Sequence, residues 1–368
     1  MKRFLMILGT RPEAIKMCPL LLALKRTAGV EVRLLLTGQH RDMVRPVLDF
    51  FGALPDVCLD VMREGQSVGE LTERLLGLLP KHMGGDHRPD MVLVHGDTTS
   101  AFAGALCAFY EGIPVAHIEA GLRTGDIHAP FPEEFNRRAI DAMSDLHFAP
   151  TQAAAERLIA EGYPKKNVFV VGNTATDALR LCLKRPPSYG SVDLAGRRLI
   201  VITAHRREMT PGERRKMLLS IRWEIEGRRD VLAVFAVHPS PAVRCVAEEV
   251  LEGCANVRLT PPLSLPDMQH LLARADLLLT DSGGMQEEAT YLGLPTLVLR
   301  DVTERPEGVE AGVLRIVGTD GETVRAALRE LLDRPDLRES MARPSFVYGD
   351  GHVSERIAAV LSHWRTAG

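Results

Sequence analysis

Phe4-Leu5-Met6-Ile7-Leu8-Gly9-Thr10-Arg11-Pro12-Glu13 is the stretch that decides the fold. It follows Met1-Lys2-Arg3, and a basic start before an apolar run has the outline of a secretory leader. The apolar part is only five residues long and runs into Gly-Thr-Arg-Pro-Glu, so it is read as a first strand and not as a leader. Lys16 then follows one helical turn on, which makes the segment the opening of a βα unit.

The same alternation continues outward from this stretch to the end of the chain. Short apolar runs at 4–8, 30–36, 91–94, 114–118, 146–148 and 168–171 alternate with longer helical patterns. Further runs follow at 199–203, 231–237, 275–280, 296–299 and 314–317. Most are unbroken Val/Ile/Leu/Ala, as expected of parallel strands covered on both faces. Ser67-Val68-Gly69-Glu70 and Thr319-Asp320-Gly321-Glu322 fit capping boxes, and Gly112 and Gly162 stand where helices should end.

With 368 residues, 45% hydrophobic and 25% charged, the chain has the length and composition of about two globular domains. Lys184-Arg185-Pro186-Pro187-Ser188-Tyr189-Gly190-Ser191 punctuates the middle, and the hinge is placed between 168 and 195. The expected fold class is therefore α/β, with two Rossmann-like, doubly wound domains facing each other across a cleft. Forty-five basic against 48 acidic residues leave a net charge of −3, which argues against nucleic acid or an anionic membrane as the main partner. No apolar run approaches the ~20 residues of a membrane span. The six cysteines form no CxxC pair, and a reducing cytoplasm is expected.

Open α/β sheets bind ligands beyond the carboxyl ends of their strands, and here those ends are dense in glycines and ionisable residues. They read Gly9-Thr10-Arg11-Pro12-Glu13, Thr37-Gly38-Gln39-His40-Arg41, His95-Gly96-Asp97-Thr98-Thr99 and Glu119-Ala120-Gly121-Leu122-Arg123. The second half adds His205-Arg206-Arg207-Glu208, His238-Pro239 and Asp281-Ser282-Gly283-Gly284. Any one of these is explained as a solvated loop; six or seven together favour one polar cleft. Arg11, Lys16, His205, Arg206 and Arg207 supply cationic donors. Ser282-Gly283-Gly284 precedes a helix whose bare N–H groups suit a phosphate, or else forms an ordinary tight turn. Glu287 and Glu288 lie a turn later, where a carboxylate takes both hydroxyls of a ribose or faces solvent. Diphosphate plus ribose suggests a nucleotide-sugar. Asp97, Glu119 and Glu133 form a set of acids suited to proton transfer, although an acid at a helix start such as Glu133 also suits the helix dipole. There is no G-x-G-x-x-G after a strand, no Walker motif and no zinc-like spacing, so no nicotinamide, ATP or metal is expected.

These motifs resemble the non-hydrolysing UDP-N-acetylglucosamine 2-epimerases. The resemblance rests on Gly9-Thr10-Arg11-Pro12-Glu13-Ala14-Ile15-Lys16-Met17, Val94-His95-Gly96-Asp97-Thr98-Thr99 and His117-Ile118-Glu119-Ala120-Gly121-Leu122-Arg123-Thr124. Pro132-Glu133-Glu134, His205-Arg206-Arg207-Glu208, Asp281-Ser282-Gly283-Gly284-Met285-Gln286-Glu287-Glu288 and Thr303-Glu304-Arg305-Pro306-Glu307 complete it. It implies two domains of the glycosyltransferase-B type: residues 1–170 with a crossing helix at 351–368, and a UDP-binding domain at 171–350. It also implies reversible interconversion of UDP-GlcNAc and UDP-ManNAc with no redox cofactor, through elimination of UDP to 2-acetamidoglucal and re-addition.

Carried over residue by residue, Asp97, Glu119, Glu133, His205 and Lys16 would do the chemistry. Arg11, Arg206, His238, Ser282, Gly283, Gly284, Glu288 and Arg305 would bind the substrate. A homodimer is the family expectation. Many bacterial members bind a second UDP-GlcNAc as activator, but Asp42-Met43-Val44-Arg45-Pro46 departs from the usual run near that site. Other departures are His238-Pro239-Ser240-Pro241, Thr290-Tyr291 and Phe346-Val347-Tyr348. The alternatives are a glycosyltransferase on the same fold, an epimerase for another UDP-2-acetamido sugar, a hydrolysing epimerase, and a nucleotide-sugar-binding regulator.

Overall fold

The computed structural model describes residues 1–187, 193–204, 209–237 and 240–364. The chain divides into two compact units, Met1–Ala178 with Gly349–Gly368, and Leu179–Tyr348.

The first unit is built on β1 (Lys2–Leu8), β2 (Val30–Leu36), β3 (Val57–Cys58), β4 (Met91–His95), β5 (Val115–Ile118), β6 (Leu146–Ala149) and β7 (Val168–Val170). They form one sheet in the order β3-β2-β1-β4-β5-β6-β7, with every pairing parallel. The second unit holds β8 (Arg198–Thr203), β9 (Val231–Ala236), β10 (Val257–Thr260), β11 (Leu277–Thr280), β12 (Thr296–Val298) and β13 (Leu314–Ile316). Its order, β10-β9-β8-β11-β12-β13, repeats that of the first sheet and is again parallel throughout. Both sheets therefore have the doubly wound order, whose winding reverses between β1 and β4 and between β8 and β11.

The continuous apolar runs behave as expected. Phe4 to Leu8 of β1 are no more than 1% exposed, and Leu199 to Ile202 of β8 are fully buried. Parallel strands with helices on both faces have no solvent side, and this is why their residues do not alternate.

Two strands were not legible as apolar runs: β3, only two residues long, and β10, where Arg258 interrupts Val257, Leu259 and Thr260. Both lie at the open edge of their sheets, where half the strand meets water and no apolar run is required.

The caps are mostly where the sequence put them. Ser67 and Glu70 form the reciprocal box that opens the helix Val68–Leu78. Gly112 and Gly162 adopt φ of +60° and +99° as helices end before them. The second box is corrected: Asp320, not Thr319, is the N-cap of the helix Gly321–Asp333, and its carboxylate accepts from Thr323 N at 2.9 Å. A carboxylate one residue nearer the helix satisfies that amide, so Glu322 is not needed.

In the first unit, the last helix, Val353–His363, packs on the helix Arg11–Lys25. Asp177 fixes its start by accepting from Val353 N and Ser354 N, at 3.0 and 2.7 Å. Lys2 Nζ donates to the carbonyls of Leu361 and Ser362 at its other end.

Candidate active site

In the first unit, the ends of β1, β2 and β4 are stitched together. Gly9 follows β1 so close to the helix Thr99–Tyr110 after β4 that a Cβ there would stand 2.1 Å from Ser100 Oγ, so only glycine fits. Ser100 and Thr37 share a hydrogen bond of 2.8 Å, and Ser100 donates to Gln39 Oε1 at 2.7 Å. Glu13, fully buried, accepts from Gly9 N, Thr10 N, Thr10 Oγ1 and Thr98 Oγ1, and so ties the β1 loop to the β4 loop. Burial pushes its carboxyl up to about 7 against the pull of these donors.

Glu119 follows β5 at φ +67°, a left-handed conformation that costs a non-glycine residue about 1 kcal/mol or more. The strain aims its carboxylate into a cluster. Oε2 receives Lys16 Nζ, receives Asn173 Nδ2 at 2.6 Å, and stands 3.5 Å from His95 Nε2. Burial pushes the His95 imidazole down to about 3, against the opposing charge of Glu119, so this ring is neutral near pH 7. Gly96 lies next to the cluster, where an added Cβ would be 3.7 Å from Glu119 Oε1.

Asp97, one residue beyond, is held from the helix Glu133–Met143. Arg137 Nε donates to its Oδ2 at 3.0 Å, with Nη2 on the same oxygen, and Asn136 Nδ2 donates to its carbonyl at 2.9 Å. Glu133 opens this helix, and its Oε2 is buried without a hydrogen-bond partner among the described residues.

Behind these groups, fully buried His117 donates from Nε2 to the Gly96 carbonyl at 2.7 Å and meets Asp141 Oδ1 at 2.6 Å through Nδ1. Burial pushes the Asp141 carboxyl up, but the charges of His117 and Arg123 more than offset this and hold it below the usual carboxylate range. With Nε2 on the Gly96 carbonyl and Nδ1 on Asp141, the ring fixes from behind the peptide that leads into Asp97.

In the second unit, the corresponding switch point carries the helix Gly283–Leu292. Ser282 is its N-cap, but the Ser282 side chain makes no capping hydrogen bond; its own N–H donates to Thr280 Oγ1 at 3.0 Å. Thr280 in turn shares a 2.7 Å hydrogen bond with Thr203 on β8, which locks the two switch-point strands together. Residues 282 to 285 are half-buried. The Arg305 guanidinium lies against Gly283, where a Cβ would stand 3.2 Å from Cζ. Its Nε donates to Glu287 Oε1 at 2.9 Å. Gln286 Oε1 accepts from Thr303 Oγ1 at 2.6 Å, which pins the Arg305 loop to the same helix. An arginine beside a helix N-terminus is an arrangement suited to an anion. Glu288, one turn on, is 8% exposed and accepts from Gln269 Nε2 at 2.7 Å.

The residues singled out in the sequence are therefore distributed between the units. Asp97, Glu119, Glu133, Lys16 and the half-buried Arg11 belong to the first, with Lys16 and Glu119 in direct contact. Ser282, Gly283, Gly284, Glu288 and Arg305 belong to the second, gathered on one helix and its neighbouring loop. His205, Arg206 and His238 lie outside the described residues.

The sequence reading missed the partners: Asn173, His95, Asn136, Arg137 and the His117–Asp141 pair. Asn173 had a usable signal, since Gly172-Asn173-Thr174 stands just past a recognised apolar run. Gln269, inside the helix Leu265–Ala273, had none. Among the described residues, no group of three or more His, Cys, Asp or Glu is placed to hold a metal ion, and no helix is long and apolar enough to cross a membrane. All six cysteines are free.

The sequence profile of the UDP-N-acetylglucosamine 2-epimerase family matches residues 22–362. The Bacillus subtilis UDP-N-acetylglucosamine 2-epimerase is 46% identical over 356 residues, which are 96% of this chain and 93% of the relative. Among solved structures, the Neisseria meningitidis UDP-GlcNAc 2-epimerase bound to UDP-GlcNAc superposes with a TM-score of 0.92 at 38% identity, covering 98% of this chain and 99% of that one. The Staphylococcus aureus MnaA–UDP co-structure gives 0.91 at 42% identity, covering 99% and 96%. Two doubly wound parallel sheets and similarity along nearly the whole length lead to one assignment: the chain belongs to the UDP-N-acetylglucosamine 2-epimerase family, a family of isomerases.

Proposed function

We propose that this protein interconverts UDP-GlcNAc and UDP-ManNAc without a redox cofactor, through elimination and re-addition of UDP. One carboxylate takes the proton from C2, the C2–H electron pair forms the C1=C2 double bond of 2-acetamidoglucal, and the C1–O bond breaks with its pair going to UDP. For the epimer, a carboxyl on the other face returns a proton to C2 as the diphosphate oxygen adds back to C1. No carbonyl stands beside C2, so its proton is hardly acidic, and departure of the diphosphate must assist its removal.

The observation that carries this reading is the Glu119 cluster. A carboxylate set in a strained backbone, with Lys16 and Asn173 on one oxygen and neutral His95 beside it, is built for proton transfer next to a charge that grows and is neutralised. Asp97, braced by Arg137, and Glu133, with a buried oxygen that has no partner among the described residues, supply the further acids that a two-faced transfer needs. The nucleotide half of the substrate falls to the second unit. Ser282, Gly283, Gly284 and Arg305 take the diphosphate, and Glu288 takes the ribose hydroxyls. Arg11, Lys16 and His205 steady the leaving group, with Arg206 and His238 as further substrate contacts. We propose a homodimer as the working form.

Incubation with UDP-GlcNAc alone tests the reaction. UDP-ManNAc should accumulate to an equilibrium that is also reached from UDP-ManNAc. Irreversible release of free ManNAc would mark a hydrolase, and no change without an acceptor would mark a transferase.

A further inference from the structure

The helix Leu265–Ala273 is largely apolar, and Leu265, Leu271 and Leu272 are buried. Gln269 interrupts it at 2% exposure. A buried amide in such a helix needs a hydrogen-bond partner, and Gln269 Nε2 donates at 2.7 Å to Oε1 of Glu288, itself 8% exposed. The contact is charge-assisted and shielded from water, so it fixes the rotation of the carboxylate. Cys182, buried nearby, senses the same group: burial, helped by the Glu288 charge, pushes its thiol up to about 12.

We propose that Gln269 is a specificity-determining positioning residue: by holding Glu288 in one orientation, it makes the site demand a ribonucleotide over a 2′-deoxyribonucleotide. This rests on the reading of Glu288 as the carboxylate that takes the ribose hydroxyls. A carboxylate fixed in rotation presents its two oxygens to two vicinal hydroxyls at once. A 2′-deoxyribose offers one hydroxyl fewer, and a clamped, desolvated oxygen then has no replacement for the lost donor. Without Gln269 the carboxylate is less firmly oriented, so UDP loses part of its paired contact and the difference between the two nucleotides narrows.

Calorimetric titration of the full chain with UDP and with 2′-deoxy-UDP tests this. The wild type should prefer UDP by about tenfold or more, the worth of a hydrogen bond to a charged group. Gln269→Met, which keeps length and loses the donor, should bring the ratio to about threefold or less, chiefly by weakening UDP. Gln269→His, which keeps an N–H donor, should restore part of the preference. If the Met variant does not fold, Gln269→Asn carries the test, because the shortened donor should also lower the ratio.

A Met or Asn variant as selective as the wild type, while Glu288→Ala loses selectivity, would overturn the role of Gln269 and leave the ribose reading standing. A wild type that binds both nucleotides equally would overturn the ribose reading of Glu288 and this inference with it.

Discussion

The two switch points share a strand order and are furnished in opposite ways. Beyond β4 and β5, the groups presented are side chains, Asp97 and Glu119, each braced by a cation or an amide from another element. Beyond β11, what is presented is main chain: the first amides of the helix Gly283–Leu292, where Gly283 and Gly284 carry no Cβ. There the carboxylates are bound by other side chains, Glu287 by Arg305 and Glu288 by Gln269. A backbone amide cannot titrate, and its position follows from the helix, so it suits holding a constant charge. A carboxylate changes protonation, and its strength is set by what stands beside it. On this contrast, damage to the first unit should appear in turnover and damage to the second in affinity.

The sharpest way to break the contrast is through the acids. Asp97→Asn and Glu119→Gln are each expected to lower kcat by ~10²-fold or more while the Kd for UDP moves by less than about threefold. Steady-state rates beside calorimetry decide the matter; affinity falling as far as turnover would erase the division of labour.

Asn173→Asp sharpens it. The aspartate keeps the acceptor that serves Ala175 N at 3.0 Å, so the local turn survives, but it places a like charge against Glu119 where an amide donated at 2.6 Å. A kcat loss of about tenfold, an altered pH profile and a lowered melting temperature from the buried like charge are expected. A melting temperature that falls with normal turnover would make Asn173 structural only.

In the second unit, Gly283→Val adds bulk at the helix N-terminus and crowds Arg305. UDP affinity should weaken by about tenfold, with kcat at saturation much less affected. An equal loss of both would contradict the assignment of holding to this unit.

The smallest effect concerns His95. Its folded-state value of about 3 lies below the ordinary 6.5, so between these limits the folded protein binds fewer protons than the unfolded chain. Stability therefore falls as pH drops below about 6.5, by about 3 kcal/mol from this residue by pH 4.5. Glu13, raised to about 7, works in the opposite direction over the same range and gains stability as pH falls. Denaturant midpoints against pH for the wild type and His95→Asn separate the two, and the variant should show the flatter acid limb. Identical limbs would remove His95 from the account.

What was legible in the sequence follows from these same differences. Strands buried on both faces announce themselves through composition, and the glycine and acid clusters at their ends mark a site because nothing in strand packing asks for them there. Edge strands β3 and β10 escape because one side of each is free to be polar. The bracing groups escape for another reason. Arg137 lies forty residues from Asp97 and Gln269 nineteen from Glu288, so their roles exist only once the fold brings them together. Glu13 shows both halves: its place in the motif was read at once, but its function as a buried clamp between the β1 and β4 loops was not.

The central claim is that the unit-one acids exchange the C2 proton of a UDP-sugar with water during turnover. It is tested most directly by running the reaction from UDP-GlcNAc in deuterium oxide and following the C2 proton resonance. The account requires deuterium at C2 of the UDP-ManNAc formed and of the UDP-GlcNAc regenerated, with incorporation lost in Glu119→Gln. Epimerisation that leaves C2 fully protonated would contradict it.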